Sequence, residues 1–147
     1  MNPALAALYQ GVILEHAQAP RHQGPLADAT HHARVDNPLC GDRVTMRLRL
    51  SDGRIEAARF EGHGCAIALA SASMLAGLVE GRDATEARAL GAELERLLGD
   101  DAAHAAADRA RLGDLVALEG TRAFPTRIRC ATLPWEALRR ALESAGS

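Results

Sequence analysis

Three cysteines and one aspartate carry most of the chemistry legible in this chain of 147 residues. Cys40 and Asp42 flank Gly41 in Pro38-Leu39-Cys40-Gly41-Asp42, so a thiol and a carboxylate stand two residues apart around a glycine that lets the backbone turn both toward one point. Cys65 follows Gly62-His63-Gly64 and opens an apolar run, which predicts a sulfur at a helix N-terminus where the dipole favours thiolate. With Cys130 the set is three sulfurs and one oxygen, a ligand set for zinc or for an iron-sulfur cluster. Taken singly, each cysteine reads as a small buried hydrophobe and Asp42 as a residue capping its own turn. The shared turn and helix-start contexts favour ligands. His63 is a ligand type beside Cys65 but reads as a solvent-facing loop histidine. His16, His22, His31, His32 and His104 lack ligand-like spacing and are given no metal role.

These side chains need elements to position them. After Asn2-Pro3, the apolar residues Leu5, Leu8, Val12 and Ile13 recur at helical spacing, predicting a helix over 3–18 that stops at Ala19-Pro20. A loop over 19–31 leads to a short strand near His32 to Asp36. Val44, Met46, Leu48 and Leu50 then alternate with polar residues, turn at Asp52-Gly53, and return over Arg54 to Glu61. Because Ile55 and Ala57 share one face while Ala58 and Phe60 take the other, the return strand is expected to carry a bulge or a change of burial. The two ends of this hairpin lie together, which brings Cys40 toward Cys65.

Ile67, Ala70, Met74, Leu75 and Leu78 predict a helix after Cys65 that ends near Gly81, with Ser71 and Ser73 as small packing residues. No His and acid pair is placed by sequence to make either serine a nucleophile. Asp83 and Glu86 read as a capping box before a helix through Leu90, Leu94 and Leu98 to Gly99. Residues 100–111 hold alanine and charge, expected as a solvated helix or a mobile insertion. Leu112 to Leu118 predict a short helix closed by Gly120, Phe124-Pro125 an extended lead, and Trp135, Leu138 and Leu142 a last helix with Thr132 and Pro134 in its first turn, placing Cys130 just before it. Arg47 and Arg49 read as the solvated face of a strand.

Composition narrows the class. The length fits a single domain over 1–147, large enough to form a core without disulfide staples. With 48% hydrophobic residues but 3% aromatic, the core must be built from small aliphatic side chains on closely packed helices. A net charge of −2 argues against nucleic acid as a partner, and no apolar stretch approaches the roughly 18 residues of a membrane helix. No secretory leader is legible, so a cytoplasmic location is expected, and an odd number of cysteines there points to free thiols, metal binding or sulfur chemistry rather than a disulfide framework.

Several blocks in order resemble the SufU and IscU-type iron-sulfur cluster assembly proteins, the SufU branch in particular. They are Leu8-Tyr9, Val12-Ile13-Leu14-Glu15-His16, Asn37-Pro38-Leu39-Cys40-Gly41-Asp42, Phe60-Glu61-Gly62-His63-Gly64-Cys65, Ala70-Ser71-Ala72-Ser73-Met74, Leu112-Gly113-Asp114 and Phe124-Pro125-Thr126-Arg127-Ile128-Arg129-Cys130-Ala131-Thr132-Leu133. The resemblance implies an α+β fold, a small antiparallel β-sheet of about three strands packed against several helices, with Cys40, Asp42, Cys65 and Cys130 ligating Zn²⁺. It further implies that a SufS-like cysteine desulfurase displaces Cys40 from the metal, that Cys40 accepts sulfur as a persulfide, and that the sulfur passes to a SufBCD-type complex. On this reading the chain is a sulfurtransferase-like partner and activator of the desulfurase more than a free-standing enzyme. Arg127 matches a family arginine and is expected to offset the charge of the thiolates and carboxylate or to steer the persulfide, the alternative being a plain surface charge.

Scaffold members of the family carry histidine before the last cysteine, where this chain has Arg129, and arginine cannot ligate metal. The segment 100–111 resembles an insertion typical of SufU. Both favour sulfur relay over cluster building. The alternatives are a scaffold for a transient [2Fe-2S] cluster, with iron at the same ligands, and a structural zinc module.

Overall fold

The computed structural model describes residues 11–38 and 41–144. Its helices are α1 (Val12–Gln18), α2 (Ala66–Val79), α3 (Ala84–Leu97), α4 (Asp101–Ala106), α5 (Arg109–Leu112) and α6 (Pro125–Ser144), with a 3-10 segment, Gly113–Ala123, before the last. The strands β1 (His31–Asn37), β2 (Asp42–Ser51) and β3 (Arg54–His63) form an antiparallel sheet in the order β1-β2-β3. This is the α+β fold expected from the sequence. The start of the expected first helix, before Gly11, lies outside the described residues.

The hairpin turn follows from its residues. Asp52 and Gly53 both have positive φ, 52° and 77°, the two-residue turn whose twist matches the flanking strands. Register slips at Arg49/Leu50, where Ala57 and then Ile55 face β2 and Glu56 is the extra residue. That is the bulge announced by the pattern: Ile55 and Ala57 are buried, then Ala58 and Phe60. Below the bulge the register runs on to Arg43 opposite His63, so Asp42 and Cys65 are neighbours by construction.

The buried face of the sheet, including Val44, Met46, Leu48 and Phe60, is covered by α6, which packs on β1 and β2, and by α2, which packs on β3. α2 is buried almost all round, from Ile67 to Val79, because alanine and serine let α1, α6 and the sheet approach it together. Burying large side chains such as Leu75, Leu133 and Leu138 contributes roughly 1.5–3 kcal/mol each. Their burial fixes α2 and α6 against each other.

Residues 100–111 are exposed and helical, the solvated form of the two expected, in two short helices with α4 capped by Asp100. Two readings of the C-terminal half change. The helix expected to close at Gly120 is a 3-10 segment that runs on to Ala123, with Thr121 Oγ1 donating to the Leu118 carbonyl at 2.7 Å. The last helix begins at Pro125, not after Cys130. Proline lacks an N–H that the first helical turn does not need, and its fixed φ suits that position. Pro134 therefore lies inside the helix, and Cys130 is in its second turn. Among the described residues, no helix is long and apolar enough to cross a membrane.

Candidate metal centre

Asp42 opens β2, Cys65 is the N-cap of α2, and Cys130 faces them from α6. Their ligand atoms all lie within 4.8 Å of one another. Asp42 and Cys130 are buried, at 2% and 1% exposure, while Cys65 is half-buried. The Asp42 carboxylate accepts the Cys65 backbone N–H at 3.0 Å through Oδ1, and its Oδ2 is 3.8 Å from Cys65 Sγ. It thus occupies an orphan donor at the start of α2 and offers its other oxygen to the sulfurs. Gly64 makes room for this: a Cβ there would lie 2.5 Å from Asp42 Oδ1.

Cys130 Sγ lies 3.8 Å from the Thr126 carbonyl one turn back. Burial pushes the Cys130 thiol well above its ordinary range, and hydrogen bonding to Asp42 and to Cys65 adds to the shift. With no cation, Cys130 therefore keeps its proton. A divalent cation reverses that preference, since thiolate is the form that ligates. The donor set fits zinc: Zn–S bonds of about 2.3 Å hold tetrahedral sulfur ligands about 4 Å apart, inside the 4.8 Å that contains all three ligand atoms.

Cys40 lies outside the described residues, as does any contact it makes. On either side of it, Pro38 follows β1, and the Gly41 N–H donates to the Asn37 carbonyl at 2.9 Å with Gly41 φ at 73°. Arg127 is half-buried in the first turn of α6, one turn before Cys130. Arg129 is exposed and pairs with Glu136 at 3.8 Å along the same helix. His63 ends β3 in solvent.

The sequence matches the NifU-like N terminal domain family over residues 8–143. The chain belongs to that family. The SufU and IscU cluster assembly proteins are its members, and iron-sulfur cluster assembly is the function of this NifU-like chain at that level. It is 38% identical over 139 residues, 95% of its length and 92% of the relative's, to the zinc-dependent sulfurtransferase SufU of Bacillus subtilis. It is 34% identical over 95% of its length, and 86% of the relative's, to the iron-sulfur cluster assembly scaffold protein IscU of Streptococcus pyogenes. The crystal structure of FiSufU from Fervidobacterium islandicum AW-1 superposes on it with a TM-score of 0.82 at 28% identity, covering 92% of this chain and 96% of that one.

The sequence reading missed a second polar cluster of this NifU-like domain. His16 of α1 is buried, with Nδ1 2.7 Å from Ser73 Oγ and Nε2 3.3 Å from Asp114 Oδ2. Ser73 Oγ also accepts the Arg21 N–H at 2.8 Å, and because the Asp114 carboxylate can only accept, Nε2 donates to it. These residues border a cleft of about 280 Å³. Ser73 is 1% exposed and its oxygen is already engaged, so the hydroxyl links α1 to α2 and is not placed to attack a substrate. Residues 57 and 98 positions apart left no local signal of this meeting.

Proposed function

We propose that this chain is a zinc-dependent sulfur acceptor in iron-sulfur cluster assembly, with Cys40, Asp42, Cys65 and Cys130 as its ligands and Cys40 as the thiol that takes sulfur from a cysteine desulfurase. The observation that carries the proposal is the convergence of Asp42, Cys65 and Cys130 at the foot of the hairpin. Cys40 stands two residues before Asp42, so its backbone is tethered within roughly 7 Å of a ligand. Zinc, when bound, supplies a positive charge that holds the surrounding thiols deprotonated.

The chain's own residues do the rest. Asp42 anchors the start of α2 and leaves one oxygen for the site, and the turn at Gly41 gives Cys40 a pivot. Cys40, freed as thiolate at the desulfurase, attacks the terminal sulfur of the desulfurase persulfide. The new S–S bond forms as the old one breaks, and the desulfurase cysteine leaves as thiolate. The sulfur then moves to a SufBCD-type complex. Arg127, one turn from Cys130, is assigned to offset the negative charge.

The scaffold reading has the IscU relatives in its favour. Arg129 tells against it: the residue before Cys130 has no ligand atom to give and is paired with Glu136.

Desulfurase turnover with this protein added is the deciding measurement. Addition should accelerate turnover, and Cys40→Ala should abolish the acceleration; undiminished turnover with that variant would sink the relay. Protein purified without added metal should contain one zinc and show no visible band, whereas iron with sulfide bands would support the scaffold. Under a purely structural role, Cys65→Ala would unfold the domain with no specific kinetic effect.

A further inference from the structure

Ser71 is fully buried on α2, and its hydroxyl donates to the Ala131 carbonyl at 2.6 Å. This bond joins the two helices that carry the cysteines. Cys65 caps α2 six residues before Ser71, and Ala131 follows Cys130 directly in α6. The turn it grips is weakened from within. Pro134 has no N–H to give the Cys130 carbonyl four residues back, and its ring crowds that carbonyl. A helix missing a rung is free to bend there, and a bend would swing Cys130 Sγ relative to Cys65. The Ser71 hydroxyl pins the carbonyl next to the missing rung.

We propose that Ser71 is a positioning residue: by fixing the Cys130 turn of α6 to α2, it holds the Cys130 sulfur within reach of Cys65 and Asp42. The consequence for metal affinity rests on the zinc reading above; the positioning of the thiol does not. Ser73 supplies the internal control. It is equally buried on the same helix but bonds His16 and Arg21, away from α6.

The test compares wild type, Ser71→Ala and Ser73→Ala in two measurements. The first is the alkylation rate of Cys130 in the metal-free protein, resolved by peptide mass spectrometry. Ser71→Ala should raise it about tenfold or more, while Ser73→Ala leaves it within about twofold, because opening of the Cys130 turn controls access to a buried thiol. The second is Zn²⁺ affinity by chelator competition, with the Co²⁺ absorption spectrum as a report on geometry. Ser71→Ala should weaken affinity about 10- to 100-fold, the usual effect of removing support from behind a ligand, and alter the Co²⁺ bands; Ser73→Ala should do neither.

A folded Ser71→Ala protein with wild-type alkylation at Cys130 overturns the proposal. So does equal acceleration in both variants, which would mark a general loss of stability. If wild type binds neither metal yet alkylation responds to Ser71→Ala alone, the positioning stands and the zinc reading falls. Should the alanine variant not fold, Ser71→Cys keeps the side chain's size with a weak donor and is read by alkylation at Cys130, with the same two outcomes.

Discussion

Asp42 holds Cys65 twice, taking its backbone N–H on one carboxylate oxygen at 3.0 Å and facing its sulfur with the other at 3.8 Å. One buried side chain therefore both anchors the start of α2 and contributes to the candidate metal centre. The two jobs separate chemically. An amide can accept the N–H as a carboxylate does, but it brings no charge to a cation.

Asp42→Asn should therefore stay close to wild type in metal-free stability while losing zinc affinity. Asp42→Ala should lose both, since it leaves the Cys65 N–H without an acceptor at a cost of about 1–3 kcal/mol. Denaturant unfolding in chelator and zinc competition on the same preparations check the split. Equal stability for the two variants would show that the anchoring bond contributes nothing.

Gly64 tests the same carboxylate from the other side. Its absent Cβ would sit 2.5 Å from Asp42 Oδ1 and 2.9 Å from Cγ, distances no packed carbon tolerates. Gly64→Ala should push the carboxylate away from Cys65 and weaken zinc binding at least tenfold, with the far-ultraviolet circular dichroism of the fold preserved. Wild-type affinity in that variant would mean the Asp42 side chain is not held where it acts.

How far the sequence reveals this site depends on how local each signal is. The hairpin from Val44 to Glu61 was legible, with a bulge or a change of burial expected on its return strand, because alternation and turn chemistry act over neighbouring residues; only the pairing register places the extra residue at Glu56. The N-cap position of Cys65 was legible for the same reason. The start of α6 was misplaced because Pro134 reads as a first-turn proline, whereas tertiary packing of Leu133, Trp135 and Leu138 carries the helix through it. The contacts of Ser71 with Ala131, and of Ser73 with His16, span 60 and 57 positions. Nothing in the local pattern of a serine inside an alanine-rich helix marks the partner it will meet.

Glu119 makes stability depend on acid. The Arg109 guanidinium beside it, helped by His104, holds its carboxyl at about 2 against an ordinary 4.5, despite an opposing effect of burial. The folded state thus binds this proton more weakly than the unfolded one. The stabilisation is complete above about pH 4.5 and is lost as pH falls through that value toward 2. Because Arg109 and His104 belong to α5 and α4, the loss should appear first as loosening of residues 100–111. Glu119→Gln should flatten this part of the stability profile between pH 5 and 2, as read by unfolding at a series of pH values. An unchanged slope would remove Glu119 as its source.

Gly91 faces a contest between two effects of opposite sign. In α3 an alanine is favoured over glycine by about 1 kcal/mol of helix propensity. A Cβ at Gly91, however, would lie 2.2 Å from the Trp135 ring, and the indole is tethered by its N–H to Glu95 at 2.6 Å. Overpacking of a tethered ring costs about 1–3 kcal/mol or more, so the clash wins and Gly91→Ala should lower the unfolding midpoint. The strain can be relieved by tilting α3 outward or by turning α6, and the two routes differ at the candidate metal centre. The Cys130 turn of α6 is held to α2 by Ser71, whereas α3 is anchored to the sheet side mainly at its own start, where Gly53 and Asp83 meet it. The outward tilt of α3 should prevail, leaving zinc affinity within about twofold of wild type while stability falls. A matching loss of affinity would show that the strain travels along α6 to Cys130.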